Sequence, residues 1–82
     1  GKASYVVEIA IKAVDSSDLF LRVANLVAES KLPMLAINAR KTRDHYELLN
    51  LTIEITEREE LEHLIRKIRK IENVMDVTRT VK

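Results

Sequence analysis

Two carboxylates, Asp15 and Asp18, bracket two hydroxyls, Ser16 and Ser17, in the stretch VDSSDLFL. Such a stretch reads as a strand running into a helix start, a place where many domains hold a small ligand against free amide N–H groups. The same residues also have a plainer use. Ser16 or Ser17 can serve as an N-cap, and Asp18 in the first turn complements the helix dipole. Elsewhere, Glu59 and His63 stand four apart on one helical face, a spacing that could hold a metal ion but equally describes a solvated ion pair. His45 and His63 lie in unrelated contexts, and neither serine has a neighbouring base, so no nucleophilic triad can be argued from spacing. Catalytic residues and a metal site are therefore not expected. Arg40, Lys41 and Arg43 form a basic cluster, more in keeping with a solvated turn than with a phosphate site.

Composition narrows the chemistry further. Among 82 residues the only glycine is Gly1 and the only proline is Pro33, so phosphate-cradling loops and nucleophile elbows, which need glycine for close backbone approach, cannot be built. There is no cysteine, which excludes disulfides and thiolate metal sites. A formal net charge of +1 leaves no strong electrostatic footprint for nucleic acid or an anionic membrane. Hydrophobic content of 46% with charged content of 33% is that of an ordinary globular protein. No apolar run reaches membrane-spanning length, and no signal-peptide pattern opens the chain.

The elements that must position these groups follow from periodicity. Tyr5 to Ala13 alternates, with Tyr5, Val7, Ile9, Ile11 and Ala13 on one face, as a half-buried strand does. From Asp18 to Ser30 the pattern turns helical, with Leu19, Val23, Leu26, Val27 and Ser30 on one side. Met34 to Ala39 and Tyr46 to Ile55 read as two strands of a hairpin across a short polar turn, where Asp44-His45 tolerates positive φ. In the longer of them Leu49, Leu51, Ile53 and Ile55 point inward. Thr56 to Glu59 matches a capping box opening a second helix with the stripe Leu61, Leu64, Ile65 and Ile68. Val74 to Val81 closes as a fourth strand. The order βαββαβ predicts an α+β, ferredoxin-like fold, a four-stranded antiparallel sheet with two helices on one face, and one domain spanning 1–82.

Such a fold leaves one sheet face open. Its outward positions include Val6, Ala10 and Leu48 but none of the aromatics on which RNA-recognition modules stack bases. An open face on a thin core suits a second copy of the chain. On the first helix, Leu21 points away from the core beside Ala24 and Ala28, with Phe20 at the edge of the inward stripe and Met34 close by, which marks a contact surface.

The segment YVVEIAIKAVDSSDLFLRVANLVAESKLPMLAINARKTRDHYELLNLTIEI, followed by LEHLIRKIRKIENVMDVTR, resembles an ACT domain. The likeness is greatest to the C-terminal regulatory ACT domain of bifunctional guanosine tetra- and pentaphosphate synthetase-hydrolases, the GTP pyrophosphokinases of the stringent response. It covers nearly the whole chain, and its most specific parts are Asn38-Ala39-Arg40, Leu51 to Ile55, and Leu61 through Arg79. The resemblance implies a cytoplasmic, non-catalytic regulatory module without a cofactor, which pairs with a second copy and binds an amino acid at the interface. The ligand residues it implies are Asp15, Ser16, Ser17, Asp18 and Leu19 of one copy and Leu32, Pro33 and Met34 of its partner. Asp18 stands where the family has glycine, and Pro33-Met34 where it often has Asn followed by Ile or Val. A carboxylate at the first position repels an amino acid's α-carboxylate. Two alternatives therefore stand beside the sensor. One is an interaction scaffold derived from such a module, by divergence or engineering, without amino-acid sensing. The other is an RNA- or ribosome-contacting module using Arg40, Lys41 and Arg43.

Overall fold

A computed structural model describes residues 3–15 and 18–80. Its elements are β1 (Tyr5–Val14), α1 (Leu19–Glu29), β2 (Met34–Lys41), β3 (Tyr46–Ile55), α2 (Arg58–Arg69) and β4 (Val74–Thr80). All strand pairs are antiparallel, in the order β2-β3-β1-β4. The longest strands are thus central and the shorter ones form the edges. This is the ferredoxin-like plan expected from the element order.

Alternation builds the core. Val7, Ile9, Ile11 and Ala13 of β1 and Leu49, Leu51, Ile53 and Ile55 of β3 are buried against Leu19, Val23 and Val27 of α1 and Leu61, Leu64 and Ile68 of α2. Tyr5 shares that face yet is 45% exposed, because it lies at the strand's open end. Leu26 and Ile65 pack only partly into the core. The inward row of β3 also begins earlier than expected: Glu47, two residues before Leu49, is buried.

Two helix starts differ from expectation. Asp18 is the N-cap residue of α1 rather than a first-turn acid, and it makes no side-chain capping bond. Its carboxylate instead accepts from Arg22 Nε at 2.8 Å. The expected serine caps, Ser16 and Ser17, lie outside the described residues. At α2 the N-cap is Glu57, one residue later than expected, and Glu60 rather than Glu59 closes the box. Glu60 Oε1 accepts from the backbone N–H groups of Thr56 and Glu57, at 2.8 and 3.0 Å, and from the Thr56 hydroxyl at 3.0 Å.

Turns are made without glycine. Lys31 (φ 60°), His45 (φ 68°) and Asn73 (φ 77°) take the left-handed region. His45 does so where the hairpin composition predicted it. Asn73 uses its carbonyl to accept from Val14 N–H at 2.9 Å, tying the turn after α2 to the end of β1.

Candidate functional site

Where β1 ends, Asp15 N–H donates to the His45 carbonyl at 2.9 Å. The β2–β3 hairpin is thereby fastened to the strand-to-helix corner. Lys41, the last residue of β2, lies opposite Glu47, which in turn lies opposite Ala13. Directly paired residues project to the same face, so Lys41 and Glu47 share the helix-bearing side. Lys41 Nζ reaches Asp15 Oδ1 at 3.0 Å. Direct contact with the Asp15 carboxylate, and then its charge, hold the Lys41 ammonium protonated above its ordinary range, with Glu47 adding a weaker pull. Asp15, Lys41 and Glu47 thus form a polar corner beside the N-terminus of α1. Asp18 at that terminus is engaged with Arg22.

The remaining expected ligand residues are elsewhere. Leu32 is in the core, Pro33 and Met34 are exposed, and the Pro33 carbonyl accepts from Glu54 N–H at 3.0 Å. Met34 pairs with Ile53, whereas Lys41 pairs with Glu47. At roughly 3.3 Å per residue the two halves stand about 20 Å apart, at opposite ends of β2. Asp15 is therefore brought together with Lys41, which lies opposite Glu47, while Leu19 belongs to the core and Leu32, Pro33 and Met34 stand toward the other end of β2. Ser16 and Ser17 lie outside the described residues.

The expected contact residues also divide. The side of α1 turned toward α2 carries Arg22, Asn25, Leu26 and Glu29, which line a groove with Lys67, Lys70, Ile71 and Glu72. At 100° per residue, Phe20, Ala24, Ala28 and Leu21 fall on the other flank, above the β2 edge. Leu21 is 61% exposed there, and Phe20 is exposed as well. Along the edge, Met34 is exposed and Leu35, unpaired at a register shift, is 53% exposed. Together these make an apolar rim along α1 and β2.

Val6, Ala10 and Leu48 lie on the opposite face of the sheet. The polar neighbours there make it less apolar than expected. Ala10 pairs with Asn50 and Thr78, Leu48 with Arg40, and Lys12 with Asp76. Lys12 Nζ also sits 4.5 Å from the centre of the Tyr46 ring. The basic cluster is likewise divided. Arg40 belongs to this outer face, while Lys41 faces the helices and pairs with Asp15.

His63 and Glu59 line an open groove of about 720 Å³ with Ser30, Leu32 and residues of α2. Among the described residues no three histidine, cysteine or acidic side chains come together to hold a metal ion. No helix among them is long and apolar enough to cross a membrane.

Two residues of the corner escaped the sequence reading as ligand candidates, Lys41 and Glu47. Parity alone could have found Glu47, because it shares the odd-numbered face of Leu49, Leu51, Ile53 and Ile55.

A four-stranded sheet carrying two helices, with a polar corner after its first strand and an apolar rim at its edge, defines a small α+β module of ferredoxin-like plan. The chain belongs to the ACT domain family, which it matches over residues 1–79. It is 26% identical over 77 residues to a probable GTP pyrophosphokinase of Mycobacterium leprae, covering 94% of this chain and 10% of the relative. It therefore spans about a tenth of that protein's length. The ACT domain from the GTP pyrophosphokinase of Chlorobium tepidum superposes with a TM-score of 0.84 at 20% identity, covering 95% of this chain and all of that one. The acetolactate synthase small subunit of Thermotoga maritima gives a TM-score of 0.78 at 16% identity, over 92% of this chain and 47% of that one.

Proposed function

We propose that this ACT domain is a non-catalytic regulatory module of a cytoplasmic GTP pyrophosphokinase-like protein. Two copies pair along the β2–α1 rim and take a small effector between them. The observation that carries this reading is the placement of the two half-sites at opposite ends of β2. Pairing two β2 edges antiparallel sets the Asp15 corner of one copy beside Pro33 and Met34 of the other. An exposed edge strand flanked by apolar side chains supports the same arrangement. The effector's binding would be read out through the rim, because closing the site and packing the rim bury the same edge.

Two measurements test it. Light scattering should give the mass of a dimer at high protein concentration, and Leu21→Asp should return it to a monomer. Titration with the amino acids should then shift the amides of Asp15 to Leu19 and of Leu32 to Leu35. A wild-type protein that stays monomeric at high concentration would sink the pairing. A dimer with no response to any amino acid would favour the second reading, an interaction scaffold without amino-acid sensing. That reading is supported by Asp18, whose carboxylate stands at the helix terminus where an α-carboxylate would otherwise be received. Division of Arg40 and Lys41 between opposite faces gives an RNA-contacting role little support.

A further inference from the structure

The outer face of the sheet, turned away from the helices, holds an open cavity of about 220 Å³ whose lining includes Ala10, Lys12, Arg40, Leu48, Asn50 and Thr78. Strand register accounts for it. Two neighbouring rows cross this face, Arg40, Leu48, Lys12 and Asp76 in one, Asn38, Asn50, Ala10 and Thr78 in the other. Side chains of the first row are long and those of the second short, so the surface sinks at Ala10, which ends at Cβ. The volume lies below the roughly 300–1,000 Å³ of drug-sized pockets, which suits a compact ligand.

Charges along the longer row are unequally matched. Lys12 has Asp76 directly opposite and the Tyr46 ring 4.5 Å from its Nζ. Among the described residues the Arg40 guanidinium has no hydrogen bond or ion pair. Asp76 is three strands away from it, about 14 Å at the usual strand spacing, beyond the screening length of physiological salt. The cavity thus has one uncompensated cation, at its β2 end. A guanidinium fork matches a planar carboxylate through two parallel N–H donors. Asn50 and Thr78 add an amide and a hydroxyl beside the floor, and Ala10 with Leu48 offers an apolar surface to whatever carries the carboxylate. A phosphate monoester, with nearly two charges, would leave one of them unmatched. We propose that this cavity is a ligand site for a small monocarboxylate with a compact apolar body, the carboxylate on Arg40 and the body on Ala10 and Leu48. It lies on the opposite face from the Asp15 corner, so it neither needs the effector reading nor fails with it.

The probe is sodium benzoate, titrated into the 82-residue protein and followed by amide shifts. Saturable shifts are expected at Ala10, Arg40, Leu48, Asn50 and Thr78, with Asp15 unmoved. Arg40→Gln should weaken binding about tenfold, the loss of one bidentate ion pair. Arg43→Gln removes the same charge from the adjoining β2–β3 turn and should leave binding unchanged. Ala10→Leu should fill the floor and abolish binding with Arg40 intact. Acetate, which lacks the body, and benzamide, which lacks the charge, should both bind more weakly than benzoate. Equal weakening by Arg40→Gln and Arg43→Gln, equal binding of benzamide, tighter binding of inorganic phosphate, or no saturable shift overturns the proposal. Should Ala10→Leu not fold, Leu48→Asn removes the apolar surface, and weaker binding of benzoate by that variant carries the same test.

Discussion

Replacing Glu47 with methionine, of similar volume, removes a buried carboxylate whose Oε1 has no partner among the described residues, and should raise stability by about 1–2 kcal/mol in urea unfolding. A loss of stability instead would mean that the carboxylate has a structural partner. A second expectation concerns the hairpin, where Thr42 Oγ1 donates to Asp44 Oδ1 at 2.7 Å. That bond, with backbone hydrogen bonding next, lowers the Asp44 carboxyl below its ordinary range. A lowered folded pKa stabilises above the unfolded value, and this contribution is lost as pH falls through the lower folded one. Carboxyl NMR titration should find the Asp44 midpoint below that of an unperturbed aspartate, and Thr42→Val should move it back up. At this scale the sequence was only partly legible. Asp15 and Leu19 could be placed by their position after β1, but the closure of Lys41 onto Asp15 joins residues far apart in the chain. No local spacing encodes it.

Elements were more legible, because hydrophobic period and secondary structure are two expressions of one geometry. β1 and β3 follow from alternation, and α2 from its stripe and its end-to-end charge gradient. The start of α2 shows where such reading stops. Thr56 with Glu59 and Glu57 with Glu60 fit the same spacing, and only the path of the backbone out of β3 selects the second pair. Glu60→Ala should therefore cost about 1 kcal/mol, measured by urea unfolding, with Glu59→Ala close to neutral. The turn after α1 provides a test of opposite sign. Lys31 holds φ at 60° just past the C-cap, where glycine is favoured. Lys31→Gly should stabilise by about 0.5–1 kcal/mol, with a higher thermal midpoint as the readout. The bulge that exposes Leu35 in β2 left no mark in the sequence, since Met34 to Ala36 is apolar throughout and alternation cannot register an inserted residue.

For the whole molecule, sequence could indicate that surfaces were available but not how they were grouped. Phe20, Leu21, Ala24, Ala28 and Met34 come together only because the β1–α1–β2 crossover lays one flank of α1 above the β2 edge. Val6, Ala10 and Leu48 look equivalent in the chain and end on the far side of the sheet. Phe20→Ser combined with Leu21→Ser should weaken self-association at least tenfold by sedimentation, whereas Val6→Ser should leave it unchanged. The separation of the Asp15 corner from Pro33 and Met34 has a genetic counterpart. In the proposed symmetric pair, Asp15→Asn and Met34→Ala, each made in every copy, would damage both shared sites. Mixing the two defective proteins lets one of each combine, which puts both lesions into one site and leaves the other wholly wild type. Two inactive parents should thus restore binding at one site per mixed pair, an intersubunit complementation that a site contained within a single chain could never show.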